Sequence, residues 1–427
     1  LDAHPDLESA RGARRVRPSL EALRELLRYL GDPQESFPAI HVTGTNGKGS
    51  TVAMITALLE ATGLSVASFT SPDLGQVTER FRRGQEPIEP GELADVLEDL
   101  KLVADKCGIM ASRFELLTAA AMRWFSDLAV DVAVVEVGAG GTHDATIVVS
   151  SRVAVVTNLA ADHLDLYGPT IADLAEEKAG VIHKDAAVVL GPLEEAYLPV
   201  FLGRPHRSQA LWARDFGVAK LQVALGGSLV DLYSGSTRYE GVFLSMLGAH
   251  QAQNAGLAVA ASEAFLGRPL SAEVVEAGLG NVRLAGRMEI IGRLPLVIAD
   301  VAHNPAAARA LGEALSSYFA SIEPKVAVVG MLEDRDAEEY LRELRAGCGL
   351  SSIIATTPVS PRAKPGAEVW RAARELGIEA AFVEDPEEAL ELAEGAAASS
   401  GMVVVTGCFA LVRQARMQLG ERDKLGH

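Results

Sequence analysis

Two α/β domains in series are what this sequence predicts, and three observations carry that reading. Short β-rich runs alternate with helical stretches up to Leu190, and the alternation resumes from Leu296. A glycine-rich loop lies between the first strand and the helix that follows it. Closely spaced β signals over residues 218–246, broken by Gly-Gly, Ser-Gly and Glu-Gly, interrupt the series. The expected architecture is a P-loop, parallel-sheet domain with a small antiparallel sheet, followed by a Rossmann-like doubly wound domain. We place the boundary between Ala285 and Pro295, assigning residues 1–288 to the first domain and 289–427 to the second.

The elements follow in order. Leu20, Leu23, Leu27 and Leu30 recur at helical spacing, predicting a helix capped by Ser19 and stopped by Gly31. Ala39 to Thr43 reads as a strand, and Thr51 to Ala61 as a helix ending before Gly63. Further strands are expected at Ser65 to Phe69, Val132 to Val137, Val153 to Thr157 and Ala187 to Leu190, with a helix over Phe114 to Leu128. In the second domain the expected strands lie near residues 296–300, 326–330, 352–356, 380–383 and 402–406, each followed by a helix.

Composition excludes several function classes. A chain of 427 residues that is 48% hydrophobic has material for more than one core, since single cores rarely serve more than roughly 250 residues. The three cysteines, Cys107, Cys348 and Cys408, are too scattered for a disulfide framework or a zinc ribbon. No apolar run approaches the roughly 20 residues of a membrane span, and the first residues lack a signal peptide's apolar stretch. A cytoplasmic protein with no membrane partner is expected. The net charge of −18 repels polyanions, so no nucleic-acid partner is expected either.

The strongest chemical signal is HVTGTNGKGST, His41 to Thr51, between strand and helix. Gly44, Gly47 and Gly49 let backbone N–H groups close around phosphate oxygens, Lys48 reaches the terminal phosphates, and the helix N-terminus adds a favourable dipole. ATP is the expected anion. The spacing departs from G-x-x-x-x-G-K-[ST], because two residues separate Gly44 from Gly47 and Gly49 precedes Ser50. A second signal is VDVAVVEVGAGGTHDAT, where an apolar strand delivers Glu136 just before Gly138. Strand ends in open α/β sheets face the ligand crevice, so Glu136 is placed to hold Mg²⁺ against the phosphates.

GTNGKG is the variant found in Mur ligases. With FTSPDLGQVTERFRRGQEPI, VDVAVVEVGAGGTHDAT, VVTNLAADHLDLYG plus EEKAGVI, LGAHQAQNAGLAVAA and VIADVAHNPAA, the chain from about Arg17 to Arg413 resembles the folylpolyglutamate synthase/dihydrofolate synthase family. The resemblance implies an ATP-dependent ligase that joins L-glutamate to a folate-like acid, working as a monomer. It implies nucleotide contacts from Gly44, Thr45, Asn46, Gly47, Lys48, Gly49, Ser50, Asn254, Arg287 and Asp300, and two magnesium ions on Ser71, Glu136, His163 and Lys178. It also implies that Lys178 is carbamylated, and that Lys48, Lys178 and His303 are catalytic. Arg80, Arg82, Phe114 and Asp144 are its implied substrate contacts, with TTPVSPRA (356–363) near the incoming amino acid. The chain departs from the family's pattern at Asp73, where histidine is commoner. It also departs at Thr142 and His143, usually arginine and a hydrophobic or aromatic residue, and at Ile147, usually asparagine.

In the implied reaction the acid's carboxylate attacks the ATP γ-phosphate, and glutamate's amine then attacks the acyl phosphate. Water must be excluded meanwhile, which predicts domain closure about residues 285–295. Dihydropteroate and tetrahydrofolates both satisfy this chemistry, and a Mur-type ligase for another acid is the alternative. A P-loop switch without ligation accounts for the loop and Glu136 but leaves Lys178, His163 and D-x-x-H-N-P unexplained, and no N-K-x-D-like guanine reader accompanies them. A switch would turn over nucleotide without needing acid and amino acid together.

Overall fold

The computed structural model describes residues 19–162 and 164–425. They divide into two compact units: residues up to Ser245 with His250–Arg283, and Met246–Ala249 with the chain from Leu284 onward.

The first unit holds strands β1 (Ala39–Thr43), β2 (Val66–Phe69), β3 (Phe81–Arg83), β4 (Glu86–Pro87), β5 (Val132–Glu136), β6 (Ser151–Val156), β7 (Ala187–Leu190) and β8 (Ser208–Leu211). They form one eight-stranded sheet in the order β4-β3-β2-β5-β1-β6-β7-β8. From β2 to β8 the neighbours run parallel. The β2–β3 and β3–β4 pairs, which the sequence did not announce, are antiparallel and extend the expected parallel sheet at one side. These two strands, with β4 at the sheet's edge, are short and carry arginine and glutamate, so no apolar alternation marks them. Strands β9 (Phe216–Ala224), β10 (Gly227–Ser234) and β11 (Thr237–Leu244) make the expected antiparallel sheet.

One apolar cluster joins the first helix, Glu21–Tyr29, through Leu23, Leu26 and Leu27 to Phe69, Phe81, Leu100, Phe125 and Val135. A second gathers Ala154, Val156, Val188, Leu190 and Phe201. The cap of that first helix differs from expectation. Leu20, at φ 57°, occupies the capping position, and Ser19 Oγ accepts from Glu21 N at 3.4 Å without being the cap. Gly31, at φ 82°, ends the segment as expected.

The second unit is a six-stranded sheet, β12 (Glu289–Arg293), β13 (Leu296–Ala299), β14 (Lys325–Val329), β15 (Ser352–Ala355), β16 (Ala380–Phe382) and β17 (Met402–Thr406), in the order β12-β13-β17-β14-β15-β16. All neighbours are parallel except β12 with β13. β12 was missing from the sequence reading, because E-I-I-G-R is half polar and carries a glycine. Alternate residues feed opposite cores: Met402 and Val404 join Ile298, Val329 and Ile353, while Val403 and Val405 join Val297, Val328 and Leu390. Burial on both faces explains why β17 reads as an unbroken apolar run.

Two helices of this unit, Pro305–Tyr318 and Ala337–Cys348, meet at a pair of glycines. A Cβ added to Gly347 would lie 2.6 Å from the Gly312 carbonyl carbon and 2.7 Å from Glu313 N. Backbone sits against backbone there, and the helices must separate if either glycine gains a side chain. Gly347→Val is therefore expected to cost about 2 kcal/mol, read as a lower urea midpoint for this unit's transition. An unchanged midpoint would refute the tight crossing.

Candidate functional site

The loop between β1 and the helix Lys48–Ala61 is held from below by the end of β6. Asn158 accepts from Asn46 N through Oδ1 (3.0 Å) and donates through Nδ2 to Asn46 O (3.0 Å), while Thr157 Oγ1 donates to the same carbonyl at 2.6 Å. Thr45 Oγ1 both donates to Ala160 O and accepts from Ala160 N. Gly44 has φ 143°, and a Cβ there would fall 1.9 Å from Thr157 Oγ1. Gly47, at φ 81°, caps the helix beneath Asn254, whose Oδ1 lies 2.5 Å from the position a Cβ would take. The helix's first-turn N–H groups have no carbonyl within the helix to bond, and Ser50 Oγ is buried with no hydrogen-bond partner among the described residues. A phosphate needs such a ring of donors.

Two lysines converge here. Lys48 Nζ donates to Gly44 O and Thr45 O, both at 3.2 Å. Lys178 Nζ, from the helix Ile171–Ala179, donates to Gly44 O at 2.8 Å. Burial, then the neighbouring Lys48 charge, push the Lys178 amine down to about 7, against the pull of Asp162, Glu177 and Asp144. Near neutral pH a large fraction of this amine is therefore uncharged and nucleophilic.

Glu136 is buried at the end of β5, and its Oε2 accepts from Ser71 N at 3.2 Å, which brings together two of the expected metal ligands. His163, another expected ligand, lies outside the described residues. Beyond Ser71 the loop is closed on itself: Asp73 accepts from Arg80 Nε at 2.7 Å, and Glu79 accepts from Leu74 N at 2.7 Å. Burial raises the Asp73 carboxyl, but the Arg80 charge and hydrogen bond, with backbone donors, outweigh it and hold the group below the usual range. Arg80 is thus buried and paired within the protein, and Arg82 donates to Gln85 O at 2.6 Å.

Phe114 and Asp144 meet at Gly138, where a Cβ would come within 2.7 Å of the Phe114 ring and 3.0 Å of Asp144 Oδ2. Phe114 stacks on Phe69 with ring centroids 6.0 Å apart. Asp144 accepts from Ala139 N (2.9 Å), Thr146 N (2.9 Å) and Thr146 Oγ1 (2.5 Å), yet burial still raises its carboxyl. Because Thr146 gives its proton to Asp144, it accepts from Nε2–H of the fully buried His41 at 2.8 Å. Burial, with the nearby His183, pushes His41 down to about 3.

In the second unit, the segment after β13 forms its own cluster. Asp300 accepts from Met288 N (2.9 Å) and Ala302 N (2.8 Å), and burial raises its carboxyl despite the Arg287 charge. His303 donates from Nδ1 to Val301 O at 2.8 Å, and its ring centroid lies 5.9 Å from that of Phe409, over which Arg287 sits at 5.5 Å. Asn304 caps the helix Pro305–Tyr318 through Ala307 N.

Sequence reasoning missed three supports. Asn158 and Thr157 carry the phosphate loop, and Tyr340 donates to Ala302 O at 3.0 Å, anchoring the Asp300–His303 turn. Glu177 gathers the glycine segment 141–143. A Thr-Asn pair at a strand end beside a glycine loop is a usable signal, whereas Tyr340 lies in an ordinary helical stretch and carries none.

Comparison with known proteins follows the same lines. Residues 112–262 match the Mur ligase middle domain, and residues 286–409 match the glutamate ligase domain of Mur ligases. A dihydrofolate synthase/folylpolyglutamate synthase of Mycobacterium tuberculosis is 38% identical over 82% of this chain and 76% of its own length. That of Bacillus subtilis is 30% identical over 95% of both. A structure of Mycobacterium tuberculosis folylpolyglutamate synthase complexed with ADP superposes with a TM-score of 0.89 at 34% identity, covering 95% of each chain. One of E. coli FolC in complex with DHPP and ADP gives 0.85 at 26% identity, covering 96% of this chain and 95% of that one.

The buried His41 makes a prediction about acid. Its folded pKa, about 3, lies below the ordinary 6.5, so below pH 6.5 the unfolded chain takes up a proton that the folded one refuses. The His41 contribution is intact above that pH and erodes as pH falls toward 3, at up to about 1.4 kcal/mol per pH unit. His41→Gln, whose amide can still donate to Thr146, is expected to flatten the fall of stability between pH 6.5 and 4.5 in denaturant titrations. Parallel pH profiles for the two proteins would overturn this.

Proposed function

The chain belongs to the folylpolyglutamate synthase/dihydrofolate synthase family of Mur ligases, and from that premise we propose how its residues carry out ATP-dependent addition of L-glutamate to a dihydropteroate or folate carboxylate. The observation that carries the reading is the meeting of Lys48 and Lys178 on the Gly44 carbonyl, inside the phosphate loop. We assign residues 1–288 to nucleotide and acid binding, and 289–427 to the incoming glutamate.

ATP is held by Gly44 to Ser50, with Asn254, Arg287 and Asp300 as the remaining nucleotide contacts. The acid's carboxylate oxygen attacks the γ-phosphorus in line, and the bond to the β–γ bridging oxygen breaks to give an acyl phosphate and ADP. Lys48 offsets the charge spreading over the phosphoryl oxygens. Glutamate's amine then attacks the acyl carbon, phosphate leaves, and the amine's spare proton is lost, giving the amide.

The residues present fit magnesium. Ser50 Oγ is buried with no hydrogen-bond partner among the described residues, Glu136 is a buried carboxylate at a strand end, and hard oxygen donors of this kind suit the ion. Ser50, Ser71, Glu136, His163 and Lys178 would hold it. When bound it supplies charge neutralisation and orientation for the phosphates. Lys178 fits this role as a carbamate: the uncharged amine adds to CO₂ and loses a proton, turning a cation that would repel the metal into an anion that attracts it. His303 stands with Lys48 and Lys178 among the catalytic groups, and Phe114 and Asp144 line the acid's ring system.

Two outcomes test this. ADP release should require dihydropteroate or a tetrahydrofolate together with L-glutamate, and the product should be heavier by one glutamyl residue. Release that ignores either partner would sink the ligase reading, and silence with every pterin acid would point to another carboxylate. Lys178→Gln should lower kcat on the order of 10²-fold, the usual scale for removing a group that stabilises transition-state charge. A variant within twofold of the parent would remove Lys178 from the mechanism.

A further inference from the structure

We propose that His143 is a positioning residue for Lys178: acting through Glu177, it clamps the glycine segment after β5 to the end of the helix bearing Lys178 and fixes where that amine meets the phosphate loop. The proposal rests on the reading that Lys178 works at the phosphates.

The clamp is built from both ends of one residue. Glu177 Oε1 accepts from His143 N at 2.9 Å and Gly141 N at 3.3 Å, and Oε2 accepts from His143 Nδ1 at 2.8 Å. The Glu177 carbonyl accepts from Thr142 N at 3.0 Å and Thr142 Oγ1 at 3.1 Å. An ionised carboxylate only accepts, so His143 Nδ1 carries the proton and the ring's tautomer is set. The Glu177 side chain is 7% exposed and that of His143 33%, so the ring shields the carboxylate from solvent on its outer side.

Packing leaves this junction no slack. A Cβ on Gly141 would fall 2.6 Å from Glu177 O and 3.1 Å from Lys178 Cα, and one on Gly180 would fall 2.0 Å from Thr142 Oγ1. Lys178 is the next residue after the clamped one, and its Nζ reaches Gly44 O at 2.8 Å. A shift of the Glu177 backbone therefore moves the amine directly. Loss of the Nδ1 donor also takes from a buried carboxylate oxygen the hydrogen bond that His143 supplies, one residue before Lys178. Thr142 and His143, adjacent in the chain, both face the same glutamate.

The test uses the full chain with three variants. His143→Leu and His143→Phe remove the donor, and Phe keeps the ring, so a folding failure in one leaves the other to decide. His143→Asn keeps an N–H near the Nδ1 position. Two readouts are taken: kcat and KM for each substrate, and the carbamate signal in ¹³C NMR after equilibration with ¹³C-bicarbonate, with Lys178→Gln as the blank. The donor-less variants should lose about tenfold in kcat, the scale of one hydrogen bond to a charged group, with KM for ATP nearly unchanged and the labelled signal reduced. His143→Asn should restore both. Donor-less variants that match the parent would overturn the clamp, and so would an Asn variant as impaired as Leu, since ring packing would then be the cause. If the parent shows no labelled signal, the carbamate assignment fails while the kcat comparison still judges the clamp. If the parent shows no ligation, the proposed reaction fails while the labelled signal still judges it.

Discussion

A single backbone oxygen organises the first unit. Gly44 O accepts from both Lys48 Nζ and Lys178 Nζ, so two lysine side chains from distant parts of the chain end at one carbonyl. Burial first, and then the Lys48 charge beside it, lowers the proton affinity of the Lys178 amine. The carbonyl can be offered this way because Gly44 holds φ 143° with Thr157 filling the space where a side chain would be. Any other residue at 44 would meet Thr157 before it met a ligand.

Around that point the chain places carboxylates rather than further cations, and it satisfies them with backbone donors. Ser71 N serves Glu136, Ala139 N serves Asp144, and Gly141 N and His143 N serve Glu177. The glycine-rich segment 138–141 thus works as a strip of N–H donors that holds carboxylates in place. Its glycines are also needed for space, since Phe114, Tyr167 and Glu177 crowd the positions where side chains would stand. Burial still pushes the Asp144 carboxyl up against the hydrogen bonds from Thr146, Ala139 and Gly138.

Much of this was legible in the sequence, for identifiable reasons. Strands buried on both faces announce themselves as unbroken apolar runs, which is why β1, β5, β6, β7 and β17 were found close to their observed limits. The loop was legible because three glycines and a lysine between strand and helix have few other uses. β3, β4 and β12 were not, since two- to five-residue edge strands built on charged residues carry no periodic signal. Nor were the supports. Asn158 lies 112 positions from Asn46, and Tyr340 lies 38 from Ala302, so only the fold reveals them.

Asp73, Thr142, His143 and Ile147 point the same way once their neighbours are known. Asp73 is answered by Arg80, buried beside it at 2.7 Å. Thr142 and His143 are answered by Glu177. Ile147 packs against both apolar clusters of the first unit. Each of these residues therefore has a local partner that satisfies its chemistry, whereas an unanswered buried charge or donor would have cost stability outright. These pairings lie outside the phosphate loop itself. They belong to the layer around the carboxylates, which sets how firmly those groups are held.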